Sequence, residues 1–126
     1  MMFPKPKKRK KPTKKYLKKK ADTLFSKRIR SVNTCEIEGK DNITCNGDLQ
    51  CMHIVGRSNH KLRWDSNNAL CGCQGHHMYY TNHPWEWNEL IKQFYPVNYE
   101  YLNVKRLERW DKDIEKVIKE LESEVI

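Results

Sequence analysis

The nine residues ALCGCQGHH, positions 69–77, carry two cysteines and two histidines. Thiolate and imidazole are the donors that proteins use for zinc and other transition metals. Ala69 and Leu70 open the run, and the polar, helix-compatible stretch QGHHMYYTN (74–82) begins within it. This order predicts a short strand that hands its ligands to a helix start. A tetrahedral structural zinc takes four Cys or His donors, commonly as two short pairs. Cys73 and His76 form one pair at C-x-x-H spacing. Upstream, NTCEIEGKDNITCNGDLQ (33–50) is rich in Asn, Asp and Gly, and reads as a turn-laden hairpin carrying the other pair, Cys35 and Cys45. Cys51 and Cys71 have apolar neighbours and read as small core residues. Cys71 is nevertheless close enough in sequence to take the place of Cys73.

Composition supports a metal-stapled domain. The chain has 126 residues, of which 37% are hydrophobic. That suits one domain with a small core, and such domains often need a metal or a disulfide. Five cysteines cannot all pair with one another. The N-terminal segment is charged throughout and lacks the apolar run of a signal peptide, and no stretch is apolar enough to span a membrane. These features predict a cytoplasmic protein, where a Cys/His cluster reads as metal before disulfide. The net charge of +9 is concentrated in residues 1–20, which hold eleven Lys/Arg and no acid. The remaining residues hold fourteen basic and sixteen acidic side chains, a balance of −2. Residues 1–15 are therefore expected to form a disordered basic tail whose Lys7, Lys8, Arg9, Lys10 and Lys11 grip nucleic-acid phosphates. PKPKKRKK also fits a nuclear localisation signal.

Between tail and zinc residues, Leu17, Ala21, Leu24, Phe25 and Ile29 recur at helical spacing and predict an amphipathic helix with a positive outer face. LQCMHIVG (49–56) reads as a short strand and RSNHKLRWDSNN (57–68) as a polar loop. Pro84 suits the first turn of a helix, PWEWNELIKQFY, which Pro96 is expected to end. Leu107, Trp110, Ile114, Val117, Ile118, Leu121 and Val125 predict one long C-terminal amphipathic helix, either packed on the core or used for dimerisation. The organisation expected is a tail at 1–15, a domain at 16–95 and a helical segment at 96–126.

LQCMHI, RWDSNN and ALCGCQGHH together place a strand histidine, an asparagine before the next strand and a helix histidine in a ββα order. In this respect the chain resembles the HNH endonucleases of the ββα-metal (His-Me finger) superfamily over roughly residues 17–95. Small phage HNH proteins, with HI-x-x-R, R-W-D-x-x-N and a following HP, are the most similar. These in turn resemble the lambda-type NinG/Rap recombination endonucleases. The resemblance implies an α+β, zinc-stabilised ββα-metal core flanked by helices. It also implies hydrolysis of DNA phosphodiesters, by nicking or on branched DNA during phage recombination or replication, leaving 5′-phosphate and 3′-hydroxyl ends.

The chemistry suits the residue types. Hydrolysis needs an activated water and a cation on the phosphate, and a neutral histidine is a suitable base near pH 7. By resemblance His53 is the base, Asn68 ties down the loop and orients it, and His77 ligates a catalytic Mg²⁺ or Mn²⁺. Arg57 and Arg63 are expected to clamp phosphate. Two family positions depart from the pattern. Met52 stands directly before the base and Thr81 four residues after His77, where many members have metal ligands. Asp65 and His83 are the remaining candidates for that metal. His60 is a candidate phosphate contact. Tyr79, Tyr80, Trp85 and Trp87 are candidates for base stacking, with the core the expected place for most of them. Taken alone, His53 is better explained as a core histidine; the register with Asn68 and His77 favours catalysis. The partner expected is DNA, duplex or branched, bound by a monomer or homodimer. The alternative is a zinc-stabilised nucleic-acid-binding accessory protein without catalysis.

Overall fold

A computed structural model describes residues 11–110 and 113–123. It is a small α+β arrangement of five helices, one 3₁₀ turn and a two-stranded sheet among the described residues. Helix α1 (Lys14–Arg30) comes first, then strand β1 (Leu49–His53), a 3₁₀ turn (Ser66–Asn68) and strand β2 (Ala69–Cys73). Helices α2 (Gln74–Asn82), α3 (Pro84–Phe94), α4 (Pro96–Lys105) and α5 (Ile114–Ser123) follow among the described residues. No helix among the described residues is long and apolar enough to cross a membrane.

The two strands are antiparallel, with Leu49 opposite Cys73, Cys51 opposite Cys71 and His53 opposite Ala69. Side chains alternate across a strand, so the sheet builds two cores. Ala69 and Cys71, with half-buried Leu49 and Cys51, pack on Ala21, Phe25 and Ile29 of α1 and on Val117, Ile118 and Leu121 of α5. Met52 and Leu70 pack on Ile37, Tyr80, Trp87, Leu90 and Ile91. Fully burying a side chain such as Phe25 or Ile91 contributes about 1.5–3 kcal/mol. Gly72 belongs to the second core, where a Cβ would overlap the sulfur of Met52. Met52, the departure noted before His53, is thus a core side chain on the opposite face of the sheet.

Thr13 caps α1, its hydroxyl accepting from Tyr16 N–H at 3.2 Å. The helix therefore starts inside the expected tail. Lys11 is exposed beyond it, while Lys7, Lys8, Arg9 and Lys10 lie outside the described residues. The segment between α1 and β1 forms turns rather than a paired hairpin. It shields the outer edge of β2, where Glu36 N–H donates to Cys71 O at 2.7 Å and Cys71 N–H donates to the Glu36 carboxylate at 2.9 Å.

The C-terminal third differs from expectation. Pro96 does end α3, but it also starts α4, because proline's fixed φ and missing N–H suit a helix's first turn. Leu107 is 78% exposed in a turn, and α5 begins only at Ile114. Val125 lies outside the described residues. Periodicity alone merged a turn and a helix that share an apolar spacing.

Candidate functional site

Cys35 and Cys45 come from the turns before β1, Cys73 ends β2, and His76 lies in the first turn of α2. Their donor atoms all lie within 4.8 Å of one another. His76 Nδ1 stands 3.7 Å from Cys35 Sγ, 3.6 Å from Cys45 Sγ and 3.0 Å from Cys73 Sγ. Zinc–ligand bonds of about 2.0–2.3 Å in a tetrahedron put donors roughly 3.5–3.8 Å apart. The four residues can therefore hold a zinc ion. Cys71 is buried in the α1 core, outside this set.

Crowding among the thiols also favours a cation. Burial, then the neighbouring Cys35 and Cys73, push the Cys45 thiol up to about 12. Burial raises Cys73 as well, but the backbone N–H and ring of His76 outweigh it and bring Cys73 down to about 6. Cys73 is also the N-cap of α2, its sulfur accepting from His76 N–H at 3.4 Å, and a helix start favours thiolate. Cys35 Sγ accepts from Cys73 N–H at 3.4 Å.

Sequence reasoning missed Asp41. Its Oδ1 stands 3.0 Å from His76 Nε2, and its Oδ2 accepts from Tyr80 OH at 2.5 Å. A carboxylate on the far nitrogen of a ligating histidine fixes the tautomer and raises its donor strength. Burial acts to lower the His76 pKa, but Asp41 and Cys73 outweigh it and raise the pKa above its ordinary value. No short motif links Asp41 to His76, which lie 35 residues apart.

The second site is an open groove of about 690 Å³ along β1. Leu49, Gln50, Cys51 and His53 of β1 line it, with His77 of α2, Gly56 and Arg57 of the following loop, and Asp22, Thr23, Ser26 and Arg30 of α1. His53 and His77 thus open into one cavity. His53 Nε2–H donates to Arg63 O at 2.8 Å, which leaves Nδ1 unprotonated in the neutral ring. Burial lowers the His53 pKa, which the Arg63 carbonyl opposes only in part. His77 Nδ1–H donates to Gln50 Oε1 at 2.6 Å, leaving Nε2 as the acceptor, and burial lowers its pKa too. Gln50 was not singled out from the sequence.

Asn68 is fully buried and holds the loop after β1. Its Oδ1 accepts from Val55 N–H at 2.7 Å, and its amide donates to Val55 O at 2.9 Å and Leu62 O at 3.0 Å.

Other expected site residues go elsewhere. The Asp65 carboxylate accepts from Asn67 N–H at 2.9 Å and Tyr101 OH at 2.6 Å, and it lines a different cavity of about 290 Å³. His83 stacks on Tyr79 at 4.1 Å, donates to Tyr79 O at 2.7 Å, and is not among the groove residues. Both depart from the expected ligand set, because local hydrogen bonds at helix ends hold them. Arg63 is a correction of a different kind. Its guanidinium is held by both oxygens of Asp22, at 2.9 and 2.6 Å, and lies over the Trp64 ring at 5.2 Å. It positions the loop and offers its carbonyl to His53, instead of a free fork to phosphate. Arg57 remains 61% exposed at the groove, 3.6 Å from Asp22. His60 packs beside Trp64 and Trp110. Tyr80 and Trp87 are core residues, whereas Trp85 is exposed.

Compared with known proteins, the chain matches no family model, no curated protein and no solved structure.

Proposed function

We propose that this chain is a metal-dependent endonuclease of the HNH type that hydrolyses DNA phosphodiester bonds. The observation that carries the reading is the shared groove of His53 and His77, with each ring's free nitrogen defined by its hydrogen bond. His53, neutral at pH 7 with Nδ1 unprotonated, takes a proton from the attacking water. Arg63 O holds that ring by its far nitrogen, and Asn68 holds the loop that carries Arg63. Gln50 orients His77 so that Nε2 offers one donor to a hard cation. Asp22, the groove's carboxylate, is engaged by Arg63 and Arg57. Water and substrate phosphate would supply the remaining oxygen ligands, a common arrangement for Mg²⁺. Bound there, Mg²⁺ or Mn²⁺ supplies charge stabilisation to the phosphate.

The Cys35–Cys45–Cys73–His76 zinc site is structural in this reading. It clamps the turns before β1 to the strand end and to the start of α2, and so fixes His77 one residue past its last ligand. The four donors leave no open position of the kind a catalytic zinc keeps. The DNA nicked is duplex or branched, and the setting is phage recombination or replication.

The test is nicking of a supercoiled plasmid in Mg²⁺ or Mn²⁺. Wild type nicks; His53→Ala folds, retains zinc and binds DNA but loses nicking by about a hundredfold or more. If wild type binds DNA without nicking plasmid, flap or four-way junction, the non-catalytic accessory role takes its place.

A further inference from the structure

The groove has a second wall that the nuclease chemistry does not use. Helix α1 carries eight basic residues and one acid, Asp22, and that acid is committed to Arg63 and Arg57. Thr23, Ser26 and Arg30 line the groove opposite β1. Their spacing puts them on one stripe of the helix, and exposed Lys19 and Lys27 flank Thr23 at four-residue steps along it. Arg30 Nε donates to Ser26 O at 3.2 Å and to Ser26 Oγ at 3.1 Å, so the side chain is held while its two terminal nitrogens meet no acid among the described residues.

We infer that this stripe of α1 is the surface on which the phosphates of one DNA strand lie, with Arg30 at one end and Arg57 at the other. The inference rests on the nuclease reading for its choice of ligand. Charge decides the class: the wall offers cations and hydroxyls, which suit a polyanion. The length also fits. Arg30 lies eight residues beyond Asp22, beside which Arg57 sits, and helical rise makes that about 12 Å. Successive phosphates of one duplex strand advance about 3.4 Å along the axis, so the wall spans three to four of them. Arg30 contributes a planar fork pre-oriented by Ser26, which suits phosphate better than a freely rotating lysine.

The test is binding of a labelled DNA duplex without added Mg²⁺ or Mn²⁺, over a range of salt, using zinc-loaded full-length protein carrying His53→Ala so that cleavage cannot interfere. Adding Arg30→Gln is expected to weaken binding several-fold and to flatten the dependence of log K on log salt by about 1. Lys92→Gln, on exposed α3 surface outside the groove, removes the same charge and is expected to change neither. Zinc content and melting temperature check that each variant is folded. An unchanged salt slope with Arg30→Gln, or an equal loss with Lys92→Gln, overturns the inference. So does an RNA duplex that binds more tightly than DNA, or an acidic peptide that displaces DNA at equal charge concentration. The two readings fail separately. Wild type that nicks plasmid while Arg30→Gln binds normally removes the wall alone; wild type that never nicks while Arg30→Gln loses slope removes the nuclease alone. Absence of any DNA binding removes both.

Discussion

Three histidines each have one ring nitrogen held by a partner distant in sequence. Arg63 O fixes His53, Gln50 fixes His77 and Asp41 faces His76. None of the three partners adjoins its histidine in the sequence, so motif spacing identified the imidazoles without their tautomers. Burial lowers both His53 and His77 below the ordinary value of 6.5. The folded state therefore prefers them neutral, and the unfolded chain takes up protons first as the pH drops below 6.5. In the nuclease reading, nicking falls on acidification with a midpoint below 6.5. A pH–rate profile under single-turnover conditions checks this, and a midpoint at or above 6.5 counts against His53 as the base. Some stability is lost over the same acidic range.

At the scale of elements, α1 does more than cover the sheet. Its apolar stripe of Ala21, Phe25 and Ile29 was legible from helical spacing, because packing a helix on a sheet demands that period. Asp22, next to that stripe, was not legible as a key residue. Its carboxylate holds Arg63 in two places, receives Trp64 Nε1–H at 2.9 Å and lies near Arg57. Burial opposes its ionisation, but those donors keep its pKa below 3.8. The contribution is therefore present above pH 3.8 and is lost as the pH falls through the lowered folded value. Asp22→Asn leaves Arg63 half-buried without its counter-charge and is expected to cost about 1.5–3 kcal/mol. Thermal or urea unfolding at neutral pH measures it, and a loss near zero would mean that the ion pair does not tie α1 to the loop. Pro96 carries a related lesson. Proline's rules allow it both to end one helix and to begin the next, and residues 95 and 96 alone do not choose between these roles.

For the whole molecule, the central question is what stabilises so small a core. The two hydrophobic clusters lie on opposite faces of a sheet of only two strands. The turns carrying Cys35 and Cys45 join that sheet through the sulfur cluster, Glu36 and the buried side chain of Ile37. Zinc removal by a strong chelator should therefore lower the melting temperature markedly, and zinc added back in equimolar amount should restore it. One zinc per chain is expected by elemental analysis. Asp41→Asn keeps all four donors but weakens the support of His76, and should reduce zinc affinity by about 10–100-fold in a chelator competition. Unchanged affinity would make Asp41 a partner of Tyr80 alone. By itself, the sequence determined that the chain is a small α+β domain with a strand–helix ligand run at 69–77, and that Cys35, Cys45, His76 and one of Cys71 or Cys73 are the candidate zinc donors. Those are local properties: side-chain period, ligand type and spacing travel with the chain. Only the tertiary structure decided that Cys73 and not Cys71 joins the zinc donors, that Asp41 stands behind His76, that Arg63 is bound by Asp22, and that His53 and His77 face one groove. Each of these depends on which face of the sheet a residue takes and on segments far apart in sequence meeting across it.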